Sequence, residues 1–180
     1  MSRIATINPE TATGKQKELL DAVKSKLGLV PNLTRVMANA PVVLESYLQF
    51  SGTLGKGDLS AKQREQISLA VGEANSCDYC VSAHSAIGKM VGLTAEQIHD
   101  SRLSKAVDSK TDALLSFARK VVDARGLVSD DDVKHVRDAG FNDGAISEIV
   151  ANVALNIYTN YFNHVAATEI DFPKAAPLVK

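Results

Sequence analysis

The sequence predicts an all-α domain, and three observations carry that prediction. Helix start signals recur along the chain, apolar residues return at helical spacing, and strand signals are scarce. Aromatic residues make up only 5%, and no run keeps the alternation of a half-buried strand. Thr13 and Gln16 have capping-box spacing before QKELLDAVKSKL, and Gly28 stands where a helix stop belongs. Pro31 and Pro41 each suit the first turn of a short helix, where a missing N–H costs nothing. Ser60 and Gln63 form a second capping box opening AKQREQISLAVGEA, whose buried face is marked by Ile67, Leu69, Ala70 and Val71. Ser76 is placed to cap the helix that carries CDYCVSAHSAIGKMV and ends near Gly92. Thr94 and Gln97 make a third capping box. Leu114, Phe117, Val121 and Val122 lie at helical spacing, and Gly126 follows them. Ser129 opens a short helix that Gly140 closes, and Asn142 caps the long run AISEIVANVALNIYTNYFNHVAAT. The expected architecture is a bundle of roughly eight helices with short connections.

At 180 residues the chain favours one domain. Residues 1–58 read as an N-terminal helical layer, 59–168 as the core, and 169–180 as an irregular tail with two prolines after Phe172. The stretch SGTLGKGDLS, 51–60, is the best candidate boundary, within one domain. Twenty basic residues face twenty-one acidic ones, for a net charge of −1. No basic excess points to nucleic acid, and no Lys/Arg cluster points to anionic lipid. The N-terminus lacks the apolar core of a secretory signal, and no stretch has the length of a membrane helix. The default location is the cytoplasm, where a close cysteine pair serves a metal or redox chemistry rather than a structural disulfide.

The two cysteines of the chain are such a pair, in CDYCVSAH at 77–84. On a helix Cys77 and Cys80 are i, i+3 and Cys80 and His84 are i, i+4, so one stripe presents all three. Cys77 falls in the first turn, where the helix dipole favours a thiolate, while His84 lies nearer Cys80 in sequence. An imidazole beside a thiol needs a carboxylate to orient it. If the helices before and after Asn75–Ser76 are antiparallel, Glu65 and His84 both lie about two turns from the bend and are level. Glu73, at the helix end, is the weaker partner on geometry. Zinc is the chief structural alternative, but a closed site needs four ligands and the motif supplies three. Two inert core thiols are the other. Asn156, Asn160 and Asn163 share a face of the last helix, and asparagines in an apolar helix want partners. Structural hydrogen bonding is the favoured reading, with a pocket-lining role for Asn160 beside it. Tyr79 reads first as a packing residue with a bonded hydroxyl and second as a pocket residue. His99, His135 and His164 read as surface or helix-end residues.

A glutamate, eleven intervening residues, then Cys-x-x-Cys-x-x-x-His is the pattern Glu65–QISLAVGEANS–CDYCVSAH. With PNL at 31–33, the Gly-Phe-Asn-Asp turn at 140–143 and an Asn-bearing last helix, the sequence resembles the AhpD-like alkylhydroperoxidases of the carboxymuconolactone decarboxylase superfamily. The likeness spans most of residues 25–168. Its best-known members carry histidine just before the second cysteine, where this chain has Tyr79, as other peroxidase-related members do. The resemblance implies the AhpD-like bundle and a thiol-dependent reduction of organic hydroperoxide or hydrogen peroxide. Cys80 would be peroxidatic, Cys77 resolving, His84 the proton relay or base, and Glu65 its orienting group. It also implies no bound cofactor and no metal. The external dithiol reductant would be a lipoyl domain or a thioredoxin-like protein, meeting the more exposed Cys77. The assembly would be a trimer or hexamer. A decarboxylase-type enzyme on the same fold and a redox-switched disulfide-exchange protein are the rival readings.

Overall fold

Ser60 and Gln63 exchange both hydrogen bonds of a capping box, Gln63 N–H to Ser60 Oγ at 3.2 Å and Ser60 N–H to Gln63 Oε1 at 2.9 Å. They start α4 (Ala61–Ala74). Two of its first orphan amides are thereby satisfied. Ser60→Ala is expected to lower stability by about 1 kcal/mol, read as a shifted urea midpoint with an unchanged slope.

The computed structural model describes residues 2–178. Among them are nine helices and no strand, where about eight helices were expected. Those before α4 are α1 (Gly14–Leu27), α2 (Asn32–Met37) and α3 (Pro41–Leu54). After it come α5 (Asp78–Met90), α6 (Ala95–Arg102), α7 (Ser109–Asp123), α8 (Asp130–Asp138) and α9 (Asp143–Ala166). No helix is long and apolar enough to cross a membrane among the described residues.

The punctuation held in most places. Capping boxes stand at Thr94/Gln97 and at Ser129 with Asp132. Asn142 Oδ1 accepts the Ala145 amide. Gly28 closes α1 at φ +76°, a left-handed turn that suits glycine. Four local readings are corrected. Thr13 makes no side-chain cap, because Gln16 Nε2 reaches instead to Ala38 O at 2.8 Å and ties α1 to the end of α2. Pro31 is the cap residue of α2 rather than part of its first turn, whereas Pro41 does open α3. Ser76 does not cap α5: it turns the chain at φ +54°, and Cys77 is the cap. The stretch 51–60 is half helix, since α3 runs to Leu54. Its remainder is held to α9, where the Glu148 carboxylate accepts from the Asp58 and Leu59 amides at 2.9 and 3.0 Å.

Helix α4 is the hub, packing on α5, α6, α7 and α9. Its residues Ile67, Leu69, Ala70 and Val71 have no exposed surface, and burial is continuous from Gln66 to Gly72, as suits the middle of a central helix. On one side Ile67 and Val71 join Leu114, Phe117, Val136, Ile149 and Val153 in a core shared with α7, α8 and α9. A second cluster, on the side of α5, gathers Leu19, Leu20, Leu33, Met37 and Leu44 around Cys77, Tyr79 and Cys80. The helices before residue 58 thus supply the apolar walls around the cysteines. The segment after α9 is irregular but anchored. Ala175 N–H donates to Ser82 Oγ at 3.1 Å, and Arg102 Nη1 to Ala176 O at 2.8 Å.

Candidate active site

Helices α4 and α5 are joined by the Asn75–Ser76 turn and lie side by side, so Gly72 faces Cys80 Cβ and Val81 closely enough that a methyl group there would be in contact. The pairing brings Glu65 level with His84, and His84 Nδ1 meets Glu65 Oε2 at 2.7 Å. Their side chains are 22% and 16% exposed. Burial works against the imidazolium, but the charge of Glu65 and its hydrogen bond outweigh it, with a smaller push from Cys77. The His84 pKa is therefore raised above 6.5.

One turn up the same helix, Cys77 Sγ donates to Cys80 Sγ across 2.7 Å. The two residues are only 1% and 2% exposed. As the cap, Cys77 Sγ also accepts the Cys80 amide at 3.4 Å. That alone would favour a thiolate on Cys77, but the environment decides for Cys80. The hydrogen bond that Cys80 Sγ accepts from Cys77 is the largest influence favouring its thiolate, and the side chains of Asn163, Asn160 and Thr159 act in the same direction. These outweigh its burial and hold its pKa below 9.0. Cys77 is pushed far the other way by the bond it donates, by burial and by the charge of Cys80. Asn163 Nδ2 lies 3.3 Å from Cys80 Sγ.

Cys80, Glu65 and His84 line a cavity of about 420 Å³. Its other walls are mostly apolar, among them Val23, Leu33, Leu48, Ile87 and Phe172. Met90 is part of the lining and is 79% exposed. Cys77 is absent from the lining, and both cysteines are buried to the same degree, so the structure does not make Cys77 the more exposed sulfur. Tyr79 lines the cavity too, and its hydroxyl is fully used. It donates to Asp171 Oδ1 at 2.9 Å and accepts the Leu33 amide at 3.1 Å. Burial is the largest reason its pKa is raised. Phe172 packs edge-on against the Tyr79 ring at 5.9 Å. Asp171 Oδ2 also accepts the Asn32 amide at 2.7 Å. The tail thus crosses the site and contributes to its wall.

Asn160 does not line the cavity; its Oδ1 accepts from Asn75 Nδ2 at 2.9 Å. Asn156 follows the structural reading, donating to Asn152 O at 2.8 Å, whereas Asn163 departs from it by meeting the sulfur. Glu73 pairs with Arg102 Nε at 2.9 Å, away from His84. No group of three or more His, Cys, Asp or Glu side chains is placed to hold a metal ion among the described residues. Sequence reasoning missed Thr159, Asp171 and Phe172. Nothing local marks them, because each acts through a contact with a distant segment.

The sequence pattern of the Carboxymuconolactone decarboxylase family matches residues 41–124, which contain Glu65 and the whole CDYCVSAH motif. Comparison with curated proteins gives no match. Among solved structures, an AhpD-core, peroxidase-related protein from Ralstonia eutropha JMP134 superposes with a TM-score of 0.84 at 27% identity, over 94% of this chain and 92% of that one. A peroxidase-related protein from Silicibacter sp. TM1040 gives 0.80 at 23% identity, over 94% of both chains. The debrominase Bmp8, in complex with 2,3,4-tribromopyrrole, gives 0.82 at 15% identity over 95% and 92%. That likeness is one of fold. The matched pattern covers the glutamate, both cysteines and the histidine, so residues 41–124 carry the Carboxymuconolactone decarboxylase family pattern on a fold like that of the AhpD-core, peroxidase-related protein.

Proposed function

We propose that the protein reduces hydroperoxides with the Cys77–Cys80 pair. The observation that carries the reading is the division of labour between two adjacent sulfurs. One is favoured as thiolate and lines an apolar cavity, and the other is a protonated thiol 2.7 Å behind it. The Cys80 thiolate attacks the terminal oxygen of the hydroperoxide. The S–O bond forms, the O–O bond breaks, and the alkoxide leaves as alcohol with a proton delivered by His84. Glu65 holds that imidazole in place and keeps it protonated. Cys77 then attacks the sulfenic sulfur, giving the disulfide and water. An external dithiol, lipoyl or thioredoxin-like, reduces the disulfide by exchange. Because Cys80 and not Cys77 lines the cavity, the incoming thiolate meets Cys80 there, and a slender reductant arm fits that route.

The test is intact mass and free-thiol count on the reduced protein, before and after one equivalent of cumene hydroperoxide. Loss of both thiols and of two hydrogens, with cumyl alcohol formed, is expected. Two unreacted thiols would sink the proposal. The fold also serves the debrominase Bmp8, so bromide release from a brominated pyrrole is assayed alongside. Bromide release without peroxide consumption would move the assignment to dehalogenation.

A further inference from the structure

We propose that Asn163 and Asn160 form an amide cradle for the Cys80 sulfur, Asn163 holding its negative charge and the pair receiving the oxygen transferred to it. The oxygen half rests on the peroxidase reading; the charge half does not.

Helix α9 buries four asparagines, Asn152, Asn156, Asn160 and Asn163. The first two spend their amide hydrogens on their own helix, Asn152 on Glu148 O and Asn156 on Asn152 O, both at 2.8 Å. The other two do not. Asn163 turns its amide to Cys80 Sγ at 3.3 Å, and its Oδ1 is left buried without a partner. Asn160 gives its Oδ1 to Asn75, and its Nδ2 is left buried without a partner. An orphaned polar atom in a core costs free energy that an apolar side chain would avoid. Here one spare donor and one spare acceptor come from residues one turn apart on the same face of α9, the face whose Asn163 amide meets the Cys80 sulfur. A sulfenic acid presents the complementary pair: its oxygen accepts and its O–H donates. The orphans thus match the oxidised sulfur rather than the thiolate. In the step itself the two-electron oxidation of thiolate to sulfenic acid balances the reduction of hydroperoxide to alcohol.

The charge half is tested without peroxide. The alkylation rate of Cys80 by iodoacetamide is followed against pH, with the modified peptide identified by mass. In Asn163→Ala the ionisation midpoint is expected to rise by about one pH unit, so the rate well below it falls about tenfold while the alkaline plateau is unchanged. Asn163→Asp keeps the shape, sets a carboxylate beside the sulfur, and is expected to move the midpoint further. A midpoint unmoved in either folded variant overturns the charge half. For the oxygen half, Cys77→Ser strands the sulfenic acid, whose lifetime is read by timed dimedone capture. Adding Asn160→Ala is expected to shorten it about tenfold; an unchanged lifetime overturns that half. Should Cys77→Ser form no sulfenic acid with peroxide, the peroxidase reading fails while the alkylation midpoint still decides the charge half.

Discussion

Cys80→Ser is expected to reduce hydroperoxide turnover by at least about a thousandfold. The serine hydroxyl fits the space but does not ionise near neutral pH, so the nucleophile is lost with little disturbance of packing. Cys77 cannot take over. Its thiol is pushed away from ionisation, and it does not line the cavity. Cys77→Ser gives the contrasting result, one round of peroxide reduction followed by arrest, because no disulfide forms for the reductant to open. Peroxide consumption is measured with a dithiol in excess and again in a single turnover. Substantial turnover by Cys80→Ser, or loss of the first turnover in Cys77→Ser, would exchange the roles of the two sulfurs or remove them.

Glu65→Gln is expected to reduce turnover about a hundredfold at neutral pH and to reshape its pH dependence. In the proposed mechanism, turnover requires Cys80 ionised and His84 protonated. The Cys80 pKa is lowered from 9.0, so the acid limb of the profile lies below 9.0. The His84 pKa is raised from 6.5, so the alkaline limb lies above 6.5. The carboxylate of Glu65 is what lifts His84 against its burial. Glutamine keeps the shape and removes the charge, so His84 loses its proton at lower pH and the alkaline limb moves down. The acid limb, set mainly by Cys77 and the α9 amides, stays. An alkaline limb that does not move in Glu65→Gln would show that His84 is not the group titrating there. Glu73, the other carboxylate on the helix, is held by Arg102 Nε at 2.9 Å and does not replace the lost charge.

The two halves of the α4–α5 pair were legible in the sequence because they are local. Capping at Ser60, the turn at Asn75–Ser76 and the helical repeat fix the register that sets Glu65 level with His84, and the contact at 2.7 Å follows. The helix starts at Ser60, Thr94, Ser129 and Asn142 were legible for the same reason. Thr13 was not, because its partner Gln16 found a carbonyl 22 residues away. Which cysteine ionises was not legible from the helix either. Dipole and cap favour Cys77; the bond that Cys77 donates to Cys80 tips the balance the other way, and Asn163, arriving from far downstream on α9, adds to it. Asn163 was visible as a polar residue on an apolar face, but its target depends on how α9 crosses α5. The tail was read as irregular, which it is, yet Asp171 and Phe172 complete the wall through Tyr79.

That Tyr79 knot has a consequence for biogenesis. The hydroxyl of Tyr79 ties Leu33, in the first turn of α2, to Asp171, far along the chain. During synthesis the cysteine helix therefore leaves the ribosome well before the segment that covers it, and before the α9 amides that set its ionisation. A nascent chain has both thiols but neither their wall nor their bias. Until Asp171, Phe172 and Asn163 have come into place, the cysteines lack both the wall and the amide contact that the folded chain gives them.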